Sequence, residues 1–89
     1  MICRIYDVPG ATLEQYDRVN ERVGTEKPEG ARVHIAGTTD RGLQVIEVWD
    51  SSEDIERYMA AGLGAALEEM ELPEPTITEF EVHSLDWIS

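Results

Sequence analysis

His34 and His83 are the two side chains of this sequence whose ordinary titration range makes them ready proton acceptors near neutral pH. Both fall in stretches of alternating polarity that read as β-strands. His34 has the richer surroundings. A run from Arg32 to Thr38 leads through Asp40-Arg41-Gly42 into a second run from Leu43 to Asp50. Joined by a two-residue turn at Asp40-Arg41, the runs form a hairpin with His34 opposite Glu47 and Arg32 opposite Trp49. One sheet face then carries an imidazole, a carboxylate, a guanidinium and an indole. Such a set suits removal of a proton from a phenol or a carbon acid and retention of the anion that results. In that reading His34 is the base, Glu47 orients it, Trp49 stacks on the substrate ring, and Tyr6 or Arg32 steadies the developing oxyanion.

Further groups could bind a substrate. Arg4 and Tyr6 share one face of the first strand, Tyr58 and Met59 lie on the apolar stripe of a later helix, and His83 closes the last strand. Each has a plainer use as well. A tryptophan before a helix anchors a core, and a strand-end histidine satisfies one hydrogen bond. Arg4 can pair with an acidic neighbour strand, and Tyr58 and Met59 can simply pack.

Other chemistries find no support. Two histidines and the lone Cys3 have no zinc or iron spacing, so no metal site is expected. Gly62 and Gly64 sit inside an amphipathic segment rather than after a strand, so they form no phosphate loop. Seven Lys+Arg against 19 Asp+Glu leave a net charge of −12, which repels nucleic acid and anionic membrane surfaces alike. No apolar run approaches the ~18 residues of a membrane span. The opening Met1-Ile2-Cys3-Arg4 lacks the blocks of a signal peptide, and one cysteine suits a reducing compartment, so a cytoplasmic protein is expected.

The 89 residues allow one domain, 1–89. Ile2 to Val8 alternates as a strand and stops at Pro9-Gly10. Thr12 with Gln15 makes a capping box for a helix striped by Leu13, Tyr16, Val19 and Val23, with Gly24 as its stop. The hairpin follows. Ser51 or Ser52, with Asp54 available for a box from Ser51, caps a second helix whose apolar residues run from Ile55 to Met70 at helical spacing, weakened in the middle by Gly62 and Gly64. Pro73 and Pro75 end it, and Thr76 to Ser84 alternates as a last strand. The order βαββαβ, with right-handed crossovers, gives a ferredoxin-like α+β sandwich with a four-stranded antiparallel sheet and both helices on one side. The other side still carries apolar residues, either the Ile46/Val48 set or the Val45/Trp49 set. Pairing two copies through it predicts a homodimer.

Val33-His34-Ile35-Ala36-Gly37, Val45-Ile46-Glu47-Val48-Trp49-Asp50-Ser51 and Leu63-Gly64-Ala65-Ala66-Leu67 together resemble the dimeric α/β-barrel superfamily, in particular its antibiotic-biosynthesis-monooxygenase-like branch. The resemblance covers nearly the whole chain. It implies a fold more than a reaction, since members include cofactor-independent oxygenases, haem-degrading enzymes, cyclases and isomerases. In the oxygenase members a tryptophan at the place of Trp49 lines a pocket between sheet and helices. The haem-degrading members use an axial histidine in the following helix and an asparagine in the first strand. Here residues 52–70 hold no histidine and the first strand holds no asparagine, so haem is not expected. The resulting expectation is a small cofactor-independent enzyme acting on a hydrophobic enolisable or polycyclic aromatic substrate, by oxygenation, cyclisation or isomerisation. The alternative is a non-catalytic dimeric module that binds a small hydrophobic ligand or a partner protein.

Overall fold

Alternation along Ile2-Cys3-Arg4-Ile5-Tyr6 does produce a strand, β1 (Ile2–Pro9), in the computed structural model, which describes residues 1–24 and 27–88. Gly10, at φ 76°, turns the chain toward the first helix, α1 (Leu13–Val23). Thr12 caps that helix as its sequence requires. Its hydroxyl accepts from the Gln15 amide at 3.2 Å, and Gln15 Oε1 accepts from the Thr12 amide at 2.9 Å. Gly24 closes the helix by donating its amide to Asn20 at 2.9 Å.

Strands β2 (Ala31–Thr39) and β3 (Gly42–Trp49) are joined by Asp40 and Arg41 alone. Gly42 makes that turn possible. Its φ is 139°, and a β-carbon there would stand 2.5 Å from the Gly10 nitrogen and the Val8 carbonyl oxygen. Ser51 then caps α2 (Ser52–Tyr58), accepting from the Asp54 amide at 3.3 Å. The weak centre of the second helical segment becomes a π-helical turn over Met59–Leu63, bent at Gly62 with φ 145°, before α3 (Gly64–Glu69). Strand β4 (Thr76–Glu81) ends sooner than its alternation suggests, so His83 lies beyond the sheet.

The four strands lie in the order β2-β3-β1-β4, every neighbour antiparallel. This is the ferredoxin-like α+β sandwich. Both helical segments cover the face that carries Tyr6, Val8, Leu43, Val45 and Trp49. Val8, Ala11, Leu43 and Val45 form its buried core, with Tyr16 of α1 packed on them. Trp49, 2% exposed, is the largest buried side chain, and Ile55 beside it is equally buried. The opposite face is therefore the Ile46/Val48 set. Cys3 and Val48 are buried at its middle, whereas Ile35 and Phe80 stand half exposed. No helix among the described residues is long and apolar enough to cross a membrane.

The hairpin register is the link between fold and site. His34 pairs with Glu47, Ile35 with Ile46 and Ala36 with Val45, as the two-residue turn dictates. Nearer the open end the ladder slips. An irregularity between Ala31 and Val33 sets Ala31, not Arg32, opposite Trp49. The expected Arg32–Trp49 pairing is thereby corrected, because the extra residue of the bulge is Arg32 itself.

Candidate functional site

An open cleft of about 490 Å³ lies between α1, α2 and the β2–β3 hairpin. Tyr16 and Asn20 enter it from successive turns of α1, and Lys27 and Pro28 from the loop that follows. His34 comes from β2, Glu47 and Trp49 from β3, and Tyr58 from the end of α2. The volume is in the range of pockets that hold small organic ligands.

A continuous line of hydrogen bonds crosses this cleft. Trp49 Nε1 donates to Glu47 Oε1 at 3.2 Å, and Glu47 Oε2 stands 3.1 Å from His34 Nδ1. On the far side of the ring, His34 Nε2 is 2.5 Å from the Tyr16 hydroxyl. The line runs from the interior outward. The Trp49 side chain is buried, that of Glu47 is 13% exposed and that of His34 47%. Tyr58 packs against Trp49 at 5.6 Å between ring centroids, tilted by 41°. Burial holds its hydroxyl above the ordinary phenol range, and the charge of Glu47 adds to the effect.

Of the residues singled out by sequence, His34, Glu47, Trp49, Tyr58 and Arg32 line the cleft together. Arg32 is committed elsewhere, since its Nε and Nη2 donate to the two carboxylate oxygens of Asp50 at 2.6 and 2.9 Å. That bidentate pair holds the Asp50 carboxyl below its usual range. Tyr6 shares the sheet face but packs against the Val8–Val45 core rather than lining the cleft. Desolvation raises its phenol, partly countered by the Arg4 guanidinium. Arg4 donates from Nε to Glu79 at 2.6 Å, the ion pair with a neighbouring acidic strand. Met59, on the π-helical turn, and His83, after β4, are exposed and stand outside the lining.

Sequence reading assigned Tyr16 only to an apolar helical stripe, and passed over Asn20 and Lys27. The available signal was positional. Tyr16 lies one turn beyond a firmly capped Thr12, on the helix face turned to the sheet, and a phenol there must find a polar partner.

No protein-family model matches the chain, and no curated protein matches it in sequence. Solved structures do. The crystal structure of a candidate antibiotic biosynthesis monooxygenase from Deinococcus radiodurans matches over 100% of this chain and 99% of its own, with a TM-score of 0.68 at 17% identity. The fold is that of the antibiotic-biosynthesis-monooxygenase-like proteins. An arginine-to-serine variant of MhuD, with two manganese protoporphyrin IX molecules bound per active site, matches over 100% of both chains, with a TM-score of 0.62 and 19% identity. At these identities the likeness is one of architecture.

The porphyrin held by MhuD invites a test of whether this version of the monooxygenase-like fold suits such a group. A histidine axial ligand, the kind the resemblance implies, needs an imidazole nitrogen with a free lone pair. The cleft holds one imidazole, and both nitrogens of His34 are engaged, by Glu47 and by Tyr16. The helical wall, α2 through α3, contains no histidine. These residues offer a haem no free histidine ligand.

Proposed function

We propose that this chain is a small enzyme that removes a proton from a hydrophobic, enolisable or polycyclic aromatic substrate, without a bound cofactor. The observation that supports this reading is the Glu47–His34–Tyr16 line at the wall of the cleft. A half-exposed imidazole backed by a largely buried carboxylate is the arrangement of a positioned general base. Tyr58 and the edge of Trp49 offer flat apolar surface for a ring system.

Deprotonation is the step shared by the reactions that the resemblance implies. In the oxygenation of an activated methylene, dioxygen is the co-reactant. The carbanion adds to it, and loss of water leaves a carbonyl, so one oxygen atom stays on carbon and the other departs with the two hydrogens. In cyclisation or isomerisation the same carbanion attacks intramolecularly or is reprotonated at another carbon. The reading further takes the protein as a cytoplasmic homodimer joined through the open sheet face, with Ile35 and Phe80 in the contact.

Exchange of α-protons for deuterium in a panel of bicyclic and tricyclic aromatic ketones, followed by NMR in D₂O, tests the proposal. His34→Ala should slow exchange by about 10²-fold or more. Exchange no faster than buffer across the panel, or equal rates in the two proteins, would remove the catalytic reading and leave a ligand-binding module.

A further inference from the structure

We infer that Tyr16, not His34, is the group that meets the substrate's proton, with His34 behind it as the proton's destination. The inference rests on the catalytic reading above and concerns its route.

Hydrogen-bond polarity along the line decides the direction. An indole N–H only donates, so Glu47 Oε1 accepts from Trp49. As a carboxylate, Glu47 accepts at Oε2 as well, which places the histidine's proton on Nδ1. The basic lone pair of His34 is then on Nε2. That lone pair is capped, because the Tyr16 hydroxyl stands 2.5 Å away and donates to it. A substrate in the cleft cannot reach Nε2 without displacing the phenol. What remains open to the substrate is the other lone pair of the Tyr16 oxygen.

Proton transfer therefore runs in two linked movements. The substrate C–H bond breaks as an O–H bond forms at Tyr16, and the original Tyr16 proton moves to His34 Nε2. The electron pair stays on the substrate as an enolate, the phenol is regenerated neutral, and the new imidazolium is paired with the Glu47 carboxylate. Reversal of the same movements delivers a proton to the product. No redox partner is involved in the step.

Local structure holds Tyr16 in place. It sits in the second turn of α1, directly after the Thr12–Gln15 box, and its ring lies near-parallel to that of His34 at 6.0 Å. The other titratable or charged groups that line the cleft with it, among the described residues, are Tyr58 from α2, Arg32 from β2 and Lys27 from the loop. Arg32 is paired with Asp50, so Glu47 is the charge bonded to His34.

Imidazole ¹⁵N NMR of the whole protein comes first, since it needs no ligand. The expected spectrum has Nδ1 protonated and Nε2 as a hydrogen-bonded acceptor, with the Nε2 resonance moving toward that of a free lone pair in Tyr16→Phe. A proton on Nε2 in the wild type would overturn the inference. The α-proton exchange of 2-tetralone, a bicyclic enolisable ketone, then reads the route. Tyr16→Phe should lose about 10²-fold in exchange, as His34→Ala does. Exchange that depends on His34 but survives in Tyr16→Phe overturns the inference alone, because it shows that the imidazole takes the proton without the phenol between them. Exchange independent of His34 instead overturns the catalytic reading, and the route with it.

Discussion

The His34 imidazole and the Glu47 carboxylate face each other across paired positions of adjacent strands, Nδ1 to Oε2 at 3.1 Å. Glu47 at once receives the N–H of Trp49 at 3.2 Å, so one largely buried carboxylate satisfies two ring donors. Glu47→Ala leaves the buried Trp49 N–H without an acceptor, at a cost of about 1–3 kcal/mol, while the half-exposed His34 can turn to water. Removing one negative charge from a chain of net −12 works against that loss, so urea unfolding should be compared at low salt and at high salt, where the general repulsion is screened. Destabilisation below about 0.5 kcal/mol at high salt would mean that water replaces the carboxylate without penalty.

Trp49 ties the site to the core, which decides how it can be tested. At 2% exposure its truncation to alanine should cost about 3–5 kcal/mol, a large share of what a domain of this size has. Trp49→Ala therefore reports folding before it reports function. Trp49→Phe keeps an aromatic ring against Tyr58 but removes the N–H donor together with part of the buried ring volume. It should unfold about 4–8 °C lower for each kcal/mol lost, and bind aromatic ligands still. A Trp49→Phe protein that melts like the wild type would show that the Trp49–Glu47 bond contributes nothing to stability.

The pairing of His34 with Glu47 was legible in the sequence on the condition that Asp40-Arg41 forms a two-residue turn, which with period-two alternation sets that register. Arg32 opposite Trp49 was not. The slip between Ala31 and Val33 depends on how the hairpin's open end meets Gly30, whose carbonyl receives the Asp50 amide at 2.8 Å. Nothing in the alternation of Arg32-Val33-His34 announces it. The capping box at Thr12 and the cap at Ser51 were local chemistry and were readable as such, although Ser51 lacks the return bond of a full box. Tyr16 eluded the reading for the opposite reason. Its partner, His34, is 18 positions away, and only the packing of α1 over the sheet brings the two together. The break at Gly62 showed in the composition, but its form, a single wide turn, follows from the packing of the two helical pieces.

Alkaline pH offers a separate check on the cleft. Burial raises the phenols of Tyr6 and Tyr58 above the ordinary value near 10. In the unfolded chain both would ionise earlier, so between the two values the folded state binds more protons. Their contribution to stability is then complete below about pH 10 and is lost as pH rises through the folded values. Titration of the phenolate absorbance should show Tyr6 and Tyr58 ionising late, with unfolding setting in over the same range. Replacing either by phenylalanine should remove one late component. Ionisation of Tyr6 near pH 10 in the folded protein would contradict its packing against Val8 and Val45.

The open sheet face yields the last prediction. A monomer of this mass should expose about 5,200 Å² on the usual scaling of area with size. This chain exposes 6418 Å², an excess larger than the roughly 800 Å² that each partner buries in a standard interface. Large apolar side chains contribute to it. Ile35 is 55% exposed and Phe80 50% on the sheet, and Trp87 and Ile88 are 82% and 95% exposed in the tail. Closing that face with a second copy removes it from water, and a net charge of −12 per chain does not oppose the contact if the acidic residues stay at its rim. Light scattering after size exclusion should give a dimer. Ile35→Glu adds a charge where the lone chain is already solvated, so it should leave the fold intact and shift the protein to monomer. A wild-type protein that elutes as a monomer at micromolar concentration would remove the dimer, and an Ile35→Glu variant that still dimerises would place the contact on a different surface.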